Sequence, residues 1–207
     1  LAVILSNVDA VKRKSMEPDE QFLNTLEAES SRMSRLVTDM LQLAGADNHS
    51  WSMNFSSVEL DTLVLETFES FEALARSRNL SWEIRLPEEA LPRCRCDKER
   101  IRQLLSILID NAFCYTPEGG RVCLSLEAAA STLRICVADN GPGIPDAQKE
   151  QVFERFYRAD ASRSRKEHFG LGLSIAREIV RLHRGKLILS DTPGGGATFL
   201  VALPAGE

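Results

Sequence analysis

The stretch Thr132-Leu-Arg-Ile-Cys-Val-Ala-Asp-Asn-Gly-Pro-Gly143 joins an apolar strand pattern to an acidic turn that contains glycine. The strand pattern alternates apolar with other side chains, as in a strand that covers a core, and its apolar positions are Leu133, Ile135 and Val137. Asp139 therefore stands where a sheet ends. Gly141 and Gly143 tolerate positive φ and have no Cβ, so a flat ligand can approach the backbone here. An ordinary turn that begins with Asp would look the same, so the rest of the chain has to decide.

The composition is that of an ordinary globular protein. The chain has 207 residues, of which 43% are hydrophobic and 27% charged, enough for one good core and a smaller element. A net charge of −5 argues against a nucleic-acid partner, because proteins that bind duplexes usually present a basic face. No apolar run is long enough to span a membrane, so we expect any membrane anchor to lie outside this sequence.

The five cysteines indicate a reduced compartment. They are odd in number, none forms a Cys-x-x-Cys pair, and their positions are Cys94, Cys96, Cys114, Cys123 and Cys136. Small buried thiols are therefore expected, and zinc is not. The spacing of Cys94 and Cys96 predicts that both pack on one face of a strand. A redox or metal module that uses these cysteines is disfavoured by their spacing.

The first part of the chain predicts a helical hairpin. Residues 1–14 have helical apolar spacing, and a second amphipathic helix is predicted to run from after Pro18 to about Gly45. Such a hairpin exposes an apolar seam, so we predict a dimer in which two hairpins form a four-helix bundle. The alternative is that the hairpin packs on the rest of the chain. Residues 1–46 are therefore assigned to the hairpin, 47–52 to a polar linker that contains His49, and 53–207 to a second domain.

The second domain predicts alternating helices and strands. The expected strands are 53–58, 80–86, 92–96, 121–127, 132–139, 186–191 and 197–203, and the expected helices are 59–77, 97–115, 146–156 and 170–184. Asp97 is expected to cap its helix. This order predicts an α/β fold: a two-layer sandwich with helices on one face of a mixed sheet.

Three further segments carry residues that could bind a ligand. Asn111 and Tyr115 follow Ile107 at helical spacing, and a mid-helix Asn either meets a ligand or is satisfied within the protein. The glycines of Gly170-Leu171-Gly172 open a helix whose amide groups could meet a phosphate. The polar segment 157–169 reads either as a mobile lid over phosphates or as a solvated loop, and its cations are Arg158, Arg163, Arg165 and Lys166. The helix-end His183 is interpreted as structural.

Five motifs follow one another in a characteristic order. The motifs are Asn111, Asp139-x-Gly-x-Gly143, Phe153-Glu-Arg-Phe156, Gly170-x-Gly172-Leu173 and Gly194-Gly-Gly-Ala-Thr198. In this order they resemble the N, G1, F, G2 and G3 boxes of sensor histidine kinases, which belong to the wider GHKL ATPase family that includes gyrase. The resemblance covers the whole chain, because residues 1–47 look like the dimerisation and phosphotransfer hairpin of these kinases. It implies the Bergerat ATP-binding fold.

The resemblance also implies roles for residues at the adenine of ATP. Asp139 would accept a hydrogen bond from the adenine amine. Gly141 and Gly143 would shape the adenine pocket. Thr198 would support the base by hydrogen bonding.

On the phosphate side, the resemblance implies that Asn111 holds Mg²⁺ between the phosphates, with Tyr115 nearby. The phosphates would be cradled by Gly170, Leu171 and Gly172. The lid would supply Arg158, Arg163 and Arg165, and it would be anchored by Phe153 and Phe156.

Three residues depart from the pattern of the family. Ile107 stands where a polar residue, often Asn, is usual, and an apolar side chain cannot ligate Mg²⁺. Cys114 replaces a common Lys, which removes a cation that the lid arginines could replace. His168 replaces a common Gly and restricts the lid hinge.

The resemblance places the phosphoacceptor histidine upstream of Leu1, so no catalytic residue of that kind is expected in this sequence and it should not autophosphorylate. The implied function is the cytoplasmic kinase core of an inner-membrane two-component sensor, which forms a homodimer and passes phosphate to a response regulator. One alternative is a degenerate regulator that binds nucleotide and acts through protein contacts. Another is a different GHKL ATPase, such as a serine kinase that acts on anti-sigma antagonists, although the helical hairpin disfavours it.

Overall fold

A computed structural model describes residues 19–47, 51–129, 131–158 and 169–205. The chain divides into two compact units, Leu1–Trp51 and Ser52–Glu207, and each is described separately below. The following predicted features lie outside the described residues: the helix at 1–14, His49, Arg163, Arg165, Lys166 and His168. No helix in the described ranges is long and apolar enough to cross a membrane.

The first unit contains one described helix, α1 (Glu20–Asp47), which is two residues longer than predicted. Asp19 caps it, because its carboxylate accepts a hydrogen bond from the Phe22 amide at 2.7 Å. Large apolar side chains of α1 remain exposed, namely Leu23, Val37, Met40 and Leu41. An amphipathic helix with an uncovered apolar stripe needs a partner surface, so the four-helix dimer stays a prediction.

The second unit alternates helices and strands as predicted. Its strands are β1 (Ser56–Val58), β2 (Ser81–Arg85), β3 (Cys94–Cys96), β4 (Arg121–Ala129), β5 (Thr132–Asp139), β6 (Lys186–Asp191) and β7 (Ala197–Pro204). Its α-helices are α2 (Leu60–Ser77), α3 (Lys98–Tyr115) and α4 (Gly172–Leu182). Strands β1 and β3 form a small antiparallel pair, in which Cys94 and Cys96 are both buried as predicted.

The main sheet has the strand order β2-β4-β5-β7-β6. Strand β2 runs parallel to β4, and the other neighbours are antiparallel, which confirms the mixed sheet. The alternating residues Leu133, Ile135 and Val137 of β5 are fully buried, whereas the residues between them are partly or fully exposed. Burial of each such side chain stabilises the fold by roughly 1.5–3 kcal/mol. The period-two pattern of apolar residues therefore identified the covered face of β5.

Helices cover that face, and α3 has more buried residues than the other described helices of this unit. The predicted core positions are all buried, namely Ile101, Leu104, Leu105, Leu108 and Ala112. Asp97 caps α3 as predicted: its Oδ1 accepts hydrogen bonds from the amides of Glu99 and Arg100, each at 3.1 Å. The two-layer α/β sandwich predicted from the sequence is confirmed.

Two helix predictions were wrong in detail. The segment 146–156 is not one helix but two short 3₁₀ turns, Asp146–Gln148 and Gln151–Phe153, because it lacks an apolar stripe long enough to hold a full helix. Helix α4 begins at Gly172 instead of 170, since Gly170 has a φ of +75° that no right-handed helix contains.

Candidate functional site

Asp139 ends β5 as a buried carboxylate at the edge of the sheet. Its residue exposure is 4%. Oδ1 accepts hydrogen bonds from the main-chain amides of Gly141 at 2.8 Å and Ala197 at 3.2 Å. Among the described residues, none donates a hydrogen bond to Oδ2. One oxygen of this carboxylate is thus fixed by the protein, and the other can accept a hydrogen bond from a ligand.

Burial raises the pKa of the Asp139 carboxyl above its ordinary value, and the two amide donors oppose that rise. A buried carboxylate oxygen without a donor costs free energy, and a donor from a bound ligand would recover it. No Lys or Arg among the described residues pairs with Asp139, so its second oxygen is left to accept a hydrogen bond from a donor such as an aromatic amine. This is the chemistry that the sequence predicts for Asp139.

The backbone packs tightly around Asp139. A Cβ at Gly141 would lie 2.9 Å from the carbonyl oxygen of Tyr115, and a Cβ at Gly143 would lie 3.2 Å from that of Gly196. A Cβ at Gly196 would clash with the Asp139 carbonyl group, whose carbon would be 2.6 Å away. These glycines let the end of α3, the turn after β5 and the turn between β6 and β7 meet in one place.

Thr198 does not lie on the Asp139 face of the sheet, although the resemblance implied that it would support the base by hydrogen bonding. It pairs with Ala138 in the sheet, and side-chain alternation places it on the sheet face opposite Asp139 and Ala197. Its hydroxyl is bonded to that of Thr192 at 2.8 Å. The neighbouring Ala197 amide makes the contact with Asp139 instead, so the expected role of Thr198 is corrected.

Asn111 lies in α3, half-buried, one turn before Tyr115, whose exposure is 46%. The Asn111 side chain makes no hydrogen bond to any described residue, which is unusual for a half-buried amide in mid-helix. Ile107, one turn earlier, lies close to the start of α4, because a Cβ at Gly172 would be 3.2 Å from its Cγ2. The predicted stripe on α3 therefore faces the region where α4 begins.

The start of α4 offers main-chain donors. The N-cap residue Leu171 makes no side-chain capping bond, and its side chain is buried at 1% exposure, so only its backbone can face a ligand. Gly170 accepts a hydrogen bond from the Phe156 amide at 2.9 Å, which joins the two described ends of the segment 157–169. Arg158 is half-buried beside this junction. The uncapped N-terminus of α4 is suited to bind an anion.

The two phenylalanines expected to anchor the lid differ. Phe153 is buried and packs edge-on against Phe199, with ring centroids 6.3 Å apart. Phe156 is 57% exposed and has a positive φ of 64°. Of the two, only Phe153 packs in the core of the described structure, and its role as a lid anchor stays a prediction.

The donor set fits Mg²⁺ through one protein ligand. No group of three or more His, Cys, Asp or Glu side chains within the described ranges could hold a metal ion. Mg²⁺ in nucleotide sites is commonly held by few protein oxygens together with phosphates and water. The unbonded amide oxygen of Asn111 is such a ligand.

Sequence reasoning missed two contributors to this region. The Ala197 amide reaches Asp139 only through the register of β5 with β7, and no side-chain pattern reports it. Lys149 bridges Asp146 and Asp191, with Nζ to oxygen distances of 2.6 Å and 2.9 Å. The one sequence feature that could have indicated this bridge is the i, i+3 spacing of Asp146 and Lys149.

His183 is structural, as interpreted from the sequence. Its Nε2 accepts a hydrogen bond from the Asp97 amide at 3.0 Å, and its Nδ1 lies 2.8 Å from the Ile179 carbonyl oxygen, to which it donates. Both ring nitrogens are therefore used by the neutral tautomer that carries its proton on Nδ1. Burial lowers the pKa of His183, although Ile179 and the charge of Asp97 oppose this.

The lowered pKa predicts acid sensitivity. Above the ordinary value of 6.5, the neutral ring stabilises the fold, and this contribution is lost as the pH falls from 6.5 through the lower folded pKa. The free energy of unfolding should fall by up to about 1.4 kcal/mol per pH unit in that window from this one group. His183→Gln should show a shallower slope in urea titrations between pH 7 and pH 5. Equal slopes in the two proteins would contradict the assignment.

Comparison with known proteins identifies the family to which this part of the chain belongs. The family described as histidine kinase-, DNA gyrase B- and HSP90-like ATPase matches residues 96–207, which include every residue discussed around Asp139. The chain belongs to this ATPase family. The resemblance to sensor histidine kinases predicted from the five boxes is confirmed.

Relatives of this ATPase chain are sensor kinases. It is 35% identical over 199 residues to the adaptive-response sensory kinase SasA of Crocosphaera subtropica, covering 92% of this chain and 52% of that protein. It is 32% identical over 205 residues to the signal transduction histidine-protein kinase BaeS of Escherichia coli, covering 99% of this chain and 44% of that protein. The chain therefore spans about half the length of these curated relatives.

A solved structure of similar architecture is that of histidine kinase ThkA in complex with response regulator protein TrrA. It superposes with a TM-score of 0.77 at 26% identity, covering 99% of this chain and 57% of that one. The ATPase domain assignment thus agrees in sequence and in three dimensions.

Proposed function

We propose that this chain is the cytoplasmic kinase core of a two-component sensor histidine kinase. In this proposal, residues 1–46 form the dimerisation and phosphotransfer hairpin, and residues 53–207 bind ATP with Mg²⁺. The γ-phosphate would pass to a histidine of the hairpin that lies upstream of Leu1 and then to an aspartate of a response regulator. Homodimerisation through α1 and anchoring to the inner membrane by segments outside this sequence belong to the same proposal.

The observation that carries the proposal is the Asp139 carboxylate. Its Oδ1 is held by two amides, while Oδ2 faces no described donor, so the group is oriented to accept one hydrogen bond from a base amine. The missing side chain at Gly141 lets the backbone pack against the Tyr115 carbonyl group beside this carboxylate. The base amine of ATP, the nucleotide proposed here, is that of adenine.

The phosphate end is supported by α3 and α4. The uncapped amides at Gly172 and beyond would bind phosphate oxygens, and Asn111 would provide an oxygen ligand for Mg²⁺. Bound there, Mg²⁺ would neutralise charge on the phosphates during transfer. The residues of this chain would act by orienting the nucleotide and excluding other poses, which is the main source of catalysis in phosphoryl transfer.

The experiment that tests this function is calorimetric titration of ADP and a non-hydrolysable ATP analogue, with Mg²⁺ or with EDTA. Binding that is specific for adenine over guanine nucleotides and strengthened by Mg²⁺ supports the proposal. A chain that is folded by circular dichroism and binds neither nucleotide overturns it. If binding occurs, a longer chain that includes the upstream histidine should incorporate labelled γ-phosphate.

Removal of the Asn111 oxygen should eliminate the Mg²⁺ effect. In Asn111→Ala, we expect affinity for ADP in Mg²⁺ to fall about tenfold, the size of one lost ligand bond of about 1.4 kcal/mol, and affinity in EDTA to stay unchanged. Asn111→Asp is the matched control, because it keeps an oxygen at the same position and should keep the Mg²⁺ dependence. An equal loss with and without Mg²⁺ would show that Asn111 is not the metal ligand.

A second candidate function follows from Ile107. Its methyl group lies against the start of α4, where an apolar side chain adds no ligand for metal or phosphate. A regulator that binds nucleotide and acts through protein contacts would tolerate this residue. Nucleotide binding that is indifferent to Mg²⁺ in the wild-type chain would favour this second function.

A further inference from the structure

Lys149 lies between the two 3₁₀ turns that follow the Asp139 turn. Its Nζ is 2.6 Å from Oδ1 of Asp146 and 2.9 Å from Oδ2 of Asp191. The Lys149 side chain is 19% exposed, whereas Asp146 and Asp191 are 92% and 66% exposed. One partner is local in sequence, and the other is 42 residues away. Lys149 therefore joins two distant segments with a single ammonium group.

One of the joined segments contributes to the site around Asp139, and the other follows the Asp139 turn in the chain. Asp191 is the last residue of β6 and pairs directly with Ala197, the first residue of β7. Ala197 in turn donates its amide to Oδ1 of Asp139. Asp139, Ala197 and Asp191 thus lie side by side across three strands, at one end of the sheet.

The turn between β6 and β7 also has backbone contacts at this end. Within the turn, the Thr192 amide donates to the Gly196 carbonyl oxygen at 3.1 Å. Toward the Asp139 turn, the close approach is that of Gly196 to Gly143. Lys149 adds an ionic link from the segment after Asp139 to Asp191, the residue just before this turn.

The positive charge of Lys149 lies between the negative charges of Asp146 and Asp191. Hydrogen bonds to Asp146 and Asp191 raise the pKa of Lys149, and Lys149 lowers the pKa of Asp146. Lys149 is therefore charged at neutral pH. Without it, the carboxylate of Asp191 would be left uncompensated in the same row as the Asp139 carboxylate.

We propose that Lys149 is a positioning residue of the nucleotide site: it fastens the turn between β6 and β7 to the segment after Asp139, so that Asp139 and the Ala197 amide keep the spacing that the base requires. This role rests on the proposed function. Lys149 touches no reacting atom, so it acts only through the pocket wall. Exposed ion pairs usually contribute little. This one is distinguished by its link between the segment after Asp139 and Asp191, which pairs with Ala197.

The test compares Lys149→Met with Lys98→Met, both in the full chain. The control residue Lys98 also pairs with a carboxylate, that of Glu66 at 3.4 Å, but at the opposite end of α3 from Asn111. In Lys149→Met, affinity for ADP should fall about two- to fivefold, as expected for loss of an ion-pair network of this kind. Affinity for ADP in Lys98→Met should not change.

Two readouts separate positioning from general stability. The ratio of ADP affinity to GDP affinity should decrease in Lys149→Met, because the defect lies where the base binds. The ratio of ADP affinity with Mg²⁺ to that without Mg²⁺ should not change. Lys149→Arg should restore most of the selectivity. The double variant Lys149→Met/Asp191→Asn should bind ADP no more weakly than Lys149→Met alone, since both changes break the same link.

The outcomes are distinct. If the wild-type chain binds no ADP, the proposed function and this inference both fail. If the wild type binds ADP and Lys149→Met binds it with equal affinity and base selectivity, the inference alone fails. Additive losses in the double variant also overturn it, because they would mean that Lys149 and Asp191 act separately.

Discussion

Asp139→Asn should reduce nucleotide affinity about 30- to 150-fold while the protein stays folded, since a charge-assisted hydrogen bond of about 2–3 kcal/mol is lost. The Asn side chain can keep its Oδ1 as acceptor for the amides of Gly141 and Ala197. Its NH₂ group then takes the place of Oδ2. This group is a hydrogen-bond donor, so it cannot accept the hydrogen bond that the base amine donates. Calorimetric titration of ADP measures the loss, and Glu127→Gln, on an exposed position of β4, is the matched control.

The same variant has a predicted stability signature. Burial raises the pKa of Asp139, so ionisation of its carboxyl costs the fold free energy as the pH rises from the ordinary value of 3.8 through the folded pKa. Asn carries no charge and avoids this cost. Asp139→Asn should therefore melt at or above the wild-type temperature at pH 7, and the difference should shrink toward pH 4. A variant that melts well below the wild type would mean that lost affinity reflects damage to the fold.

Gly196→Ala should destabilise the second unit by about 2–4 kcal/mol and eliminate nucleotide binding. A Cβ at this position would clash with the carbonyl group of Asp139, and φ is +107°, a conformation that disfavours any side chain. The backbone of β5 would have to move away from β7, and the Asp139 to Ala197 hydrogen bond would be lost. Urea unfolding monitored by circular dichroism measures the destabilisation.

Gly195→Ala is the control for this prediction. Gly195 has nearly the same φ, +111°, but a Cβ there would meet no atom within 4 Å. Its substitution therefore carries the backbone strain alone, about 1 kcal/mol. If the two alanine variants are equally destabilised, the contact between Gly196 and Asp139 is not what requires glycine.

Side-chain periodicity predicted the layers of the fold because burial here follows simple patterns. The alternation at Leu133, Ile135 and Val137 identified the covered face of β5, and the polar side chain of Asp97 marked the start of α3. The pattern failed at 146–156, where side-chain bonds such as that of Lys149 to Asp191 link distant parts of the chain. Short 3₁₀ turns held by such links have no periodicity to detect.

The sequence could predict only those parts of the candidate site that are side chains. Asp139 and Asn111 could be identified by their type and position, and the structure gives each of them an oxygen that no described residue occupies. The Ala197 amide could not be identified, since main-chain donors are the same at every residue and only strand register selects one. Thr198 was named through the resemblance of its motif, but the alternation of β7 turns its hydroxyl to the other face.

The hydrogen bond between Ala197 and Asp139 joins residues 58 positions apart in the chain. It can form only after β5 and β7 have paired, and that pairing brings Thr132 beside Pro204 and so closes a long loop of intervening chain. Contacts of such high sequence separation are slow to form, and they complete a fold instead of starting it. The base pocket is therefore absent from any partly folded chain in which helices and local hairpins have formed but the centre of the sheet has not. Under the proposed function, ATP would thus stabilise only the finished domain, and occupancy of the pocket would report that folding is complete.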